Sequence, residues 1–221
     1  MYVRTILIDS LYFYFGNITQ IAQLCLPILC ITLLSQYSLF LIPEFDAAPF
    51  VSAVLGLIFY PLYTAPLIML IAKRTGHEHP SNASLLAASL KIWLPFVLLT
   101  LIVGILIGVG LMLLIIPGIW VAIRLSLSEV FLVVGGLKPI DAISASFATT
   151  KEYFWIIFIC IFIVMLPIWG MSYGLGHAGE LFAESYVISF CMEIFISFVS
   201  LFVNVVIFRI FMIAGMEQET V

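Results

Sequence analysis

Residues 95–118 read PFVLLTLIVGILIGVGLMLLIIPG and contain no charged side chain. A helix needs about 20 mostly apolar residues to cross a bilayer, and an open sheet cannot satisfy its backbone hydrogen bonds in lipid. This stretch therefore predicts a transmembrane helix. Because proline removes a backbone donor and glycine permits a tight reversal, Pro117 and Gly118 predict a hairpin with the apolar run that follows.

The composition extends this prediction to the whole chain. Of its 221 residues, 64% are hydrophobic and 9% are charged, whereas soluble domains are roughly 45–50% apolar and 25% charged. The mean hydropathy is +1.28. We predict an all-α, polytopic integral membrane protein that forms one transmembrane domain over residues 1–221. The net charge of −4 includes no basic run that could neutralise phosphates, which argues against nucleic-acid binding.

Apolar runs of spanning length occur six times. The predicted spans are residues 18–40, 49–72, 95–115, 118–134, 153–173 and 186–214. In the third span, Gly104 and Gly108 are four residues apart, a spacing that lets two helix backbones approach closely.

Lysine and arginine are unevenly distributed among the predicted loops, and such residues are held on the cytoplasmic side of a membrane. The second and fourth connections carry Lys73, Arg74, Lys91, Lys138 and Lys151, whereas the first and fifth carry Glu44, Asp46, Glu180 and Glu184. Both termini are therefore predicted to be cytoplasmic.

Two polar stretches before spans have the pattern of helices lying on the membrane surface. In residues 139–151, Ile140, Ile143 and Phe147 recur at helical spacing among polar side chains, and residues 81–93 are similar. We predict cytoplasmic interfacial helices here.

Three short segments resemble one another: residues 88–90 (ASL), 145–147 (ASF) and, more faintly, 9–11 (DSL). They predict three repeated units, each an interfacial helix followed by a transmembrane hairpin. Chance similarity between apolar sequences is the alternative.

The region from Ile116 to Thr150 contains Pro117-Gly118-Ile119, Leu125, Val130, residues 137–142 and Ser144-Ala145-Ser146, and the last span ends in Ile207-Phe208-Arg209-Ile210-Phe211-Met212. These segments resemble the YciC-type family of bacterial inner-membrane proteins. The layout is also similar to the membrane domain of some glycerophosphodiester phosphodiesterases. The resemblance implies a six-span protein of the bacterial cytoplasmic membrane and no catalytic residues.

Polar residues in the last span form the main candidate site. Tyr186, Ser189, Glu193, Ser197, Ser200 and Asn204 project in one stripe at about 100° per residue. Such a stripe either joins helices or lines a pathway. The fourth span adds Arg124 and Glu129, which completes the predicted intramembrane polar cluster.

Charged groups at membrane depth usually have a partner. From equal predicted depths we hypothesise a buried ion pair between Arg124 and Glu193. Glu129 is then expected to be protonated or to face another helix.

No catalytic, cofactor-binding or metal-binding residue is predicted. Residues 170–174 match the G-x-S-x-G pattern but lie in a predicted helix rather than in a strand-to-helix turn. His77-Glu78-His79 lacks further ligands nearby, and Cys25, Cys30, Cys160 and Cys191 lie in apolar runs, as small buried side chains do.

These observations favour a non-enzymatic accessory or assembly subunit of the cell envelope, with membrane lipids, phospholipid included, and another membrane protein as partners. The alternative is a small transporter or channel with a polar route along the last helix. A transporter is expected to have a cavity reaching the polar stripe, and an accessory subunit a dry stripe. An intramembrane enzyme would need His177 beside Ser172.

Overall fold

The computed structural model describes residues 2–40, 46–181 and 186–218, and all regular structure in these ranges is helical. Apolar residues dominate each helix, and glycine, proline or serine lies near most of the helix ends. The helices are α1 (Tyr2–Gly16), α2 (Ile18–Phe40), α3 (Ala48–Thr75), α4 (Asn82–Lys91), α5 (Trp93–Leu113), α6 (Ile115–Leu125), α7 (Ser128–Gly135), α8 (Pro139–Leu181), α9 (Tyr186–Ser200) and α10 (Phe202–Gln218).

Six segments within the described ranges are long and apolar enough to cross a membrane. They are Ile18–Leu39, Ala48–Thr75, Trp93–Leu113, Ile115–Gly135, Pro139–Gly174 and Phe190–Gly215. The prediction of an all-α protein with six membrane-spanning segments is confirmed, and each predicted span overlaps one of these segments.

The fourth and sixth spans differ from prediction because each is broken. A turn at Ser126 and Leu127 separates α6 from α7, and a turn at Leu201 separates α9 from α10. A serine side chain bonds to a helical carbonyl beside each break. The Ser126 hydroxyl donates to the Ile123 carbonyl at 2.8 Å, and the Ser200 hydroxyl donates to the Ser197 carbonyl at 2.7 Å. Each competes with the backbone for a helical acceptor.

The region of residues 139–151 also differs from prediction, since it is not a separate helix. It forms the first turns of α8, which continues through the predicted fifth span to Leu181. At about 1.5 Å per residue, α8 is roughly 65 Å long, about twice the hydrocarbon thickness. By contrast, α1 and α4 are separate helices, because α1 ends at Gly16 and α4 ends at Lys91, each before the following span begins.

The hairpin predicted from residues 95–118 is present, but its turn is at Leu114 (φ −165°, ψ 152°), and Pro117 lies inside the first turn of α6. Close approach occurs at Gly110 and Gly118, where a Cβ added to Gly110 would lie 2.9 Å from the Gly118 Cα. The predicted role of Gly104 and Gly108 is wrong, because an added Cβ at either would meet no atom within 4 Å.

Each helix that precedes a hairpin packs against a helix of another hairpin. Helix α4 packs against α3, α8 packs against α6 and α7, and α1 packs against α10. The three serines of the similar segments, Ser10, Ser89 and Ser146, are all buried at these contacts, with 0%, 2% and 0% exposure.

The residue four positions after each of these serines donates a side-chain hydrogen bond to a backbone carbonyl of a neighbouring span. The bonds join Tyr14 Oη to Phe198 O (2.8 Å), Trp93 Nε1 to Ile58 O (2.9 Å) and Thr150 Oγ1 to Arg124 O (3.1 Å). Arg124 and Phe198 lie two and three residues before the helix breaks, and their carbonyls also accept from Ser146 Oγ (2.8 Å) and from the Leu201 N–H (3.2 Å), respectively. The three bonds therefore connect each helix that precedes a hairpin to a neighbouring span.

Candidate functional site

A cavity of about 600 Å³ lies between the spanning segments, and residues from all six of them line it. Its apolar wall comes from α2, α5 and α8 and includes Leu29, Leu33, Val103, Ile107, Ile161 and Met165; α2 also contributes the polar residues Thr32 and Gln36. Its polar wall comes mainly from α3, α7, α9 and α10 and includes Tyr60, Tyr63, Glu129, Glu193, Ser197 and Asn204. The volume is within the range of small-molecule sites, roughly 300–1,000 Å³.

Both helix breaks border this cavity. Ser126 and Ser128 line it beside the first break, and Ser200 and Leu201 line it at the second. Irregular backbone at membrane depth is tolerated where it is buried in protein or lines a polar cavity. Binding sites of many transporters are built from discontinuous helices of this kind.

Glu129, in the first turn of α7, is held by Tyr60 of α3. The Tyr60 hydroxyl lies 3.0 Å from Oε1 and 3.2 Å from Oε2 of Glu129. A carboxylate in the first turn also lies near the positive end of the helix dipole. The expectation that Glu129 faces another helix is therefore confirmed, and Tyr60 is a site residue that the predicted cluster lacked. The only feature of the sequence that pointed to Tyr60 was its position beside Pro61 in an apolar span.

The predicted stripe of the last span coincides with the polar wall. Glu193, Ser197, Ser200 and Asn204 all line the cavity, whereas the side chains of Tyr186 and Ser189 lie outside the described residues. Neither Glu193 nor Asn204 makes a side-chain hydrogen bond or ion pair within the described part of the chain. Glu193 is exposed and Asn204 is half-buried, and both border the cavity, where water or a ligand can satisfy them.

Arg124 does not line the cavity, and the hypothesised Arg124–Glu193 ion pair is wrong. The guanidinium carbon lies 4.5 Å from the Phe147 ring centroid and 5.6 Å from that of Trp120. Trp120 precedes Arg124 by one helical turn and Phe147 belongs to α8, so this face of α6 is directed toward α8. Cation–π contact takes the place of the expected carboxylate partner.

The lining is acidic. Among the described residues that border the cavity are two carboxyl groups, from Glu129 and Glu193, and no lysine, arginine or histidine. The described ranges contain no cluster of three His, Cys, Asp or Glu residues that could hold a metal ion.

The other sequence motifs lie away from this cavity. In the loop of residues 77–79, Glu78 pairs with Lys73 at 2.9 Å, and His79 contacts Arg74. The G-x-S-x-G segment lies within α8, as the sequence predicted, and the side chain of His177 falls outside the described residues. The described cysteines are free; Cys25 and Cys160 are buried, but Cys30 is half-buried and Cys191 is exposed, contrary to the expectation of burial.

Six apolar spanning segments around a polar cavity define a multi-pass α-helical membrane protein. Residues 45–213 match the model of the Uncharacterised protein family (UPF0259), and the chain belongs to this family. Neither a curated protein nor a solved structure gives a significant match.

Proposed function

We propose that this chain is a non-enzymatic protein of the bacterial cytoplasmic membrane that binds a small ligand, or the head group of a lipid, in its cavity. One observation carries this proposal: Glu193 and Asn204 border a cavity of about 600 Å³ without a protein partner in the described ranges. Polar groups at membrane depth are costly unless they are satisfied, so their exposure to a shared cavity is best explained by an occupant.

In the cell, this ligand-binding chain would act as an accessory or assembly subunit of the envelope. Its partners would be membrane lipids and another membrane protein, and nucleic acid is not among them. The resemblance to YciC-type inner-membrane proteins supports this location. We propose that the chain is a YciC-type member of its family and that the membrane domain of glycerophosphodiester phosphodiesterases is a distant relative. The distribution of lysine and arginine supports cytoplasmic termini.

The chain would consist of three repeated units arranged in a ring. Support comes from the three side-chain bonds that start four residues after Ser10, Ser89 and Ser146. Because α1 packs against α10, the first unit contacts the last, as closure of a ring requires. The start of each unit (α1, α4 and the first turns of α8) would lie at the cytoplasmic interface.

Mass spectrometry of the chain extracted from its native membrane tests the ligand. A small molecule or lipid should remain bound to the wild-type protein and be lost from Ser197→Leu, which fills the cavity. The matched control is Ser172→Leu, an exposed position on α8 that does not border the cavity. No enriched ligand on the wild type, or equal retention in both variants, would refute the proposal. Chemical cross-linking before extraction tests the partner protein.

A small transporter or channel is the second candidate, supported by the two helix breaks at the cavity. Labelling of Ser197→Cys in a cysteine-free background separates the two functions. A transporter should expose this position to a membrane-impermeant thiol reagent from both sides of the membrane in turn. An accessory protein should expose it from at most one side.

A further inference from the structure

The charge of the cavity limits what can occupy it. Glu129 and Glu193 come from two different broken spans, and no basic side chain borders the cavity within the described ranges. The arginine nearest in sequence to Glu129, Arg124, is engaged with Phe147 and Trp120. Glu129 has only the neutral Tyr60 hydroxyl as a partner, and the exposed Glu193 has none among the described residues. A carboxylate within a span that lacks a counter-charge is unfavourable, and a cationic ligand supplies that charge.

The aromatic side chains of the polar wall favour the same charge. The rings of Tyr60 and Tyr63 border the cavity, with centroids 5.6 Å apart and an interplanar angle of 79°. Electron-rich ring faces attract ammonium groups. Tyr60 also orients the Glu129 carboxylate through its hydroxyl, so the acceptor is positioned before a ligand arrives.

A bare metal ion fits the size and the apolar wall of the cavity poorly. Calcium requires about six to eight oxygen ligands, and magnesium a near-ideal octahedron of six, whereas two carboxylates border this cavity and the described chain has no cluster of three metal-ligating side chains. The aliphatic wall formed by α2, α5 and α8 needs an apolar part of the ligand to cover it.

We infer that the cavity binds an organic ammonium group attached to an apolar body, with Glu129 and Glu193 as the acceptors for the ammonium. This inference rests on the proposed ligand-binding function and specifies its ligand class. The same chemistry has two sources, a free aliphatic amine and the head group of an amine-bearing phospholipid. In both cases the apolar part lies against the aliphatic wall.

Titration calorimetry with two probes of equal length tests the ammonium group. n-Hexylamine, which is protonated at neutral pH, should bind the wild-type protein in phosphatidylglycerol nanodiscs at least about tenfold tighter than n-hexanol, because a hydrogen bond to a charged group is worth more than a neutral one. Glu193→Gln and, separately, Glu129→Gln should each weaken hexylamine binding by roughly tenfold or more. Glu152→Gln, an exposed position on α8, is the control and should leave binding unchanged.

Nanodiscs also identify the source. Retention of phosphatidylethanolamine over phosphatidylglycerol by the wild type, lost in Glu193→Gln, indicates the lipid source, whereas hexylamine binding without such retention indicates a free amine. Equal affinity for hexylamine and hexanol, with both lost in Ser197→Leu, would overturn the ammonium assignment and leave the ligand-binding function intact. Binding of neither probe, together with no ligand extracted from the native membrane, would overturn both. The thermal unfolding midpoint of each variant is measured as a control. A midpoint similar to that of Glu152→Gln shows that a variant that has lost binding is still folded.

Discussion

The Tyr60 hydroxyl donates to both carboxylate oxygens of Glu129, at 3.0 and 3.2 Å, across 69 positions of sequence. This contact joins the proline-containing helix α3 to the short helix α7 that follows the first break. It holds an acidic group of the cavity in place and connects two hairpins.

Removing this hydroxyl should destabilise the protein. Tyr60→Phe is expected to lower the free energy of unfolding by about 1–3 kcal/mol, because Glu129 loses its donor within the described chain. Tyr63→Phe is the matched control, since Tyr63 borders the same cavity and its hydroxyl makes no hydrogen bond to a described residue. Reversible unfolding in mixed micelles measures both, and equal losses would contradict the role of this bond.

Arg124 should couple to Phe147 and not to Glu193. In a double-mutant cycle of Arg124→Leu with Phe147→Leu, the coupling energy should be about 0.5–2 kcal/mol, the range of a cation–π contact. The cycle of Arg124→Leu with Glu193→Leu should be additive within about 0.5 kcal/mol. A large coupling in the second cycle would restore the ion pair that the sequence had indicated.

The hairpin of α5 and α6 should be sensitive to a single methyl group at its turn. Gly110→Ala is expected to destabilise the protein by about 1–3 kcal/mol, because the added Cβ would lie 2.9 Å from the Gly118 backbone. Gly104→Ala, where an added Cβ meets nothing within 4 Å, should be neutral or slightly stabilising. The two variants differ only in position on one helix, so similar unfolding midpoints would refute the close approach.

Thr150 tests the bonds that connect the proposed units. Thr150→Val should cost about 1 kcal/mol or more, because its buried hydroxyl lies 2.7 Å from the Ser146 carbonyl and 3.1 Å from the Arg124 carbonyl near the first helix break. Thr149→Val serves as the isosteric control, because the described chain offers its hydroxyl no hydrogen-bond partner. Unfolding measurements that fail to separate the two variants would argue against the contact.

The orientation is tested with reporter fusions. A reporter active only outside the cytoplasm should work when fused near Phe45, which lies outside the described residues, or near Ala178. It should remain inactive near Gly76, Ile140 or the C-terminus, because the connections at residues 73–91 and 138–151 carry the lysines and arginines. An active fusion near Gly76 would reverse the assignment.

The six spans could be predicted because each rests on a local property. Hydrocarbon requires about 20 apolar residues per helix, and satisfying that requirement involves no other part of the chain. The polar stripe was predictable for the same reason, since the positions of Glu193, Ser197, Ser200 and Asn204 on one face follow from helical periodicity alone.

The helix breaks and the contacts of the polar residues depended on the tertiary structure. Ser126 and Ser200 bond to carbonyls beside the breaks, but Ser35 makes the same type of bond within the unbroken helix α2, so serine positions alone do not predict a break. Depth and periodicity place Arg124 and Glu193 at similar levels but do not say which neighbours each side chain meets. Packing against α8 placed Phe147 beside Arg124, in addition to Trp120 of the same helix, and the convergence of α3 with α7 placed Tyr60 beside Glu129. The sequence by itself thus determined which segments enter the membrane, because that choice depends on local hydrophobicity, and the tertiary structure decided the partners and the cavity, because they depend on how distant helices pack.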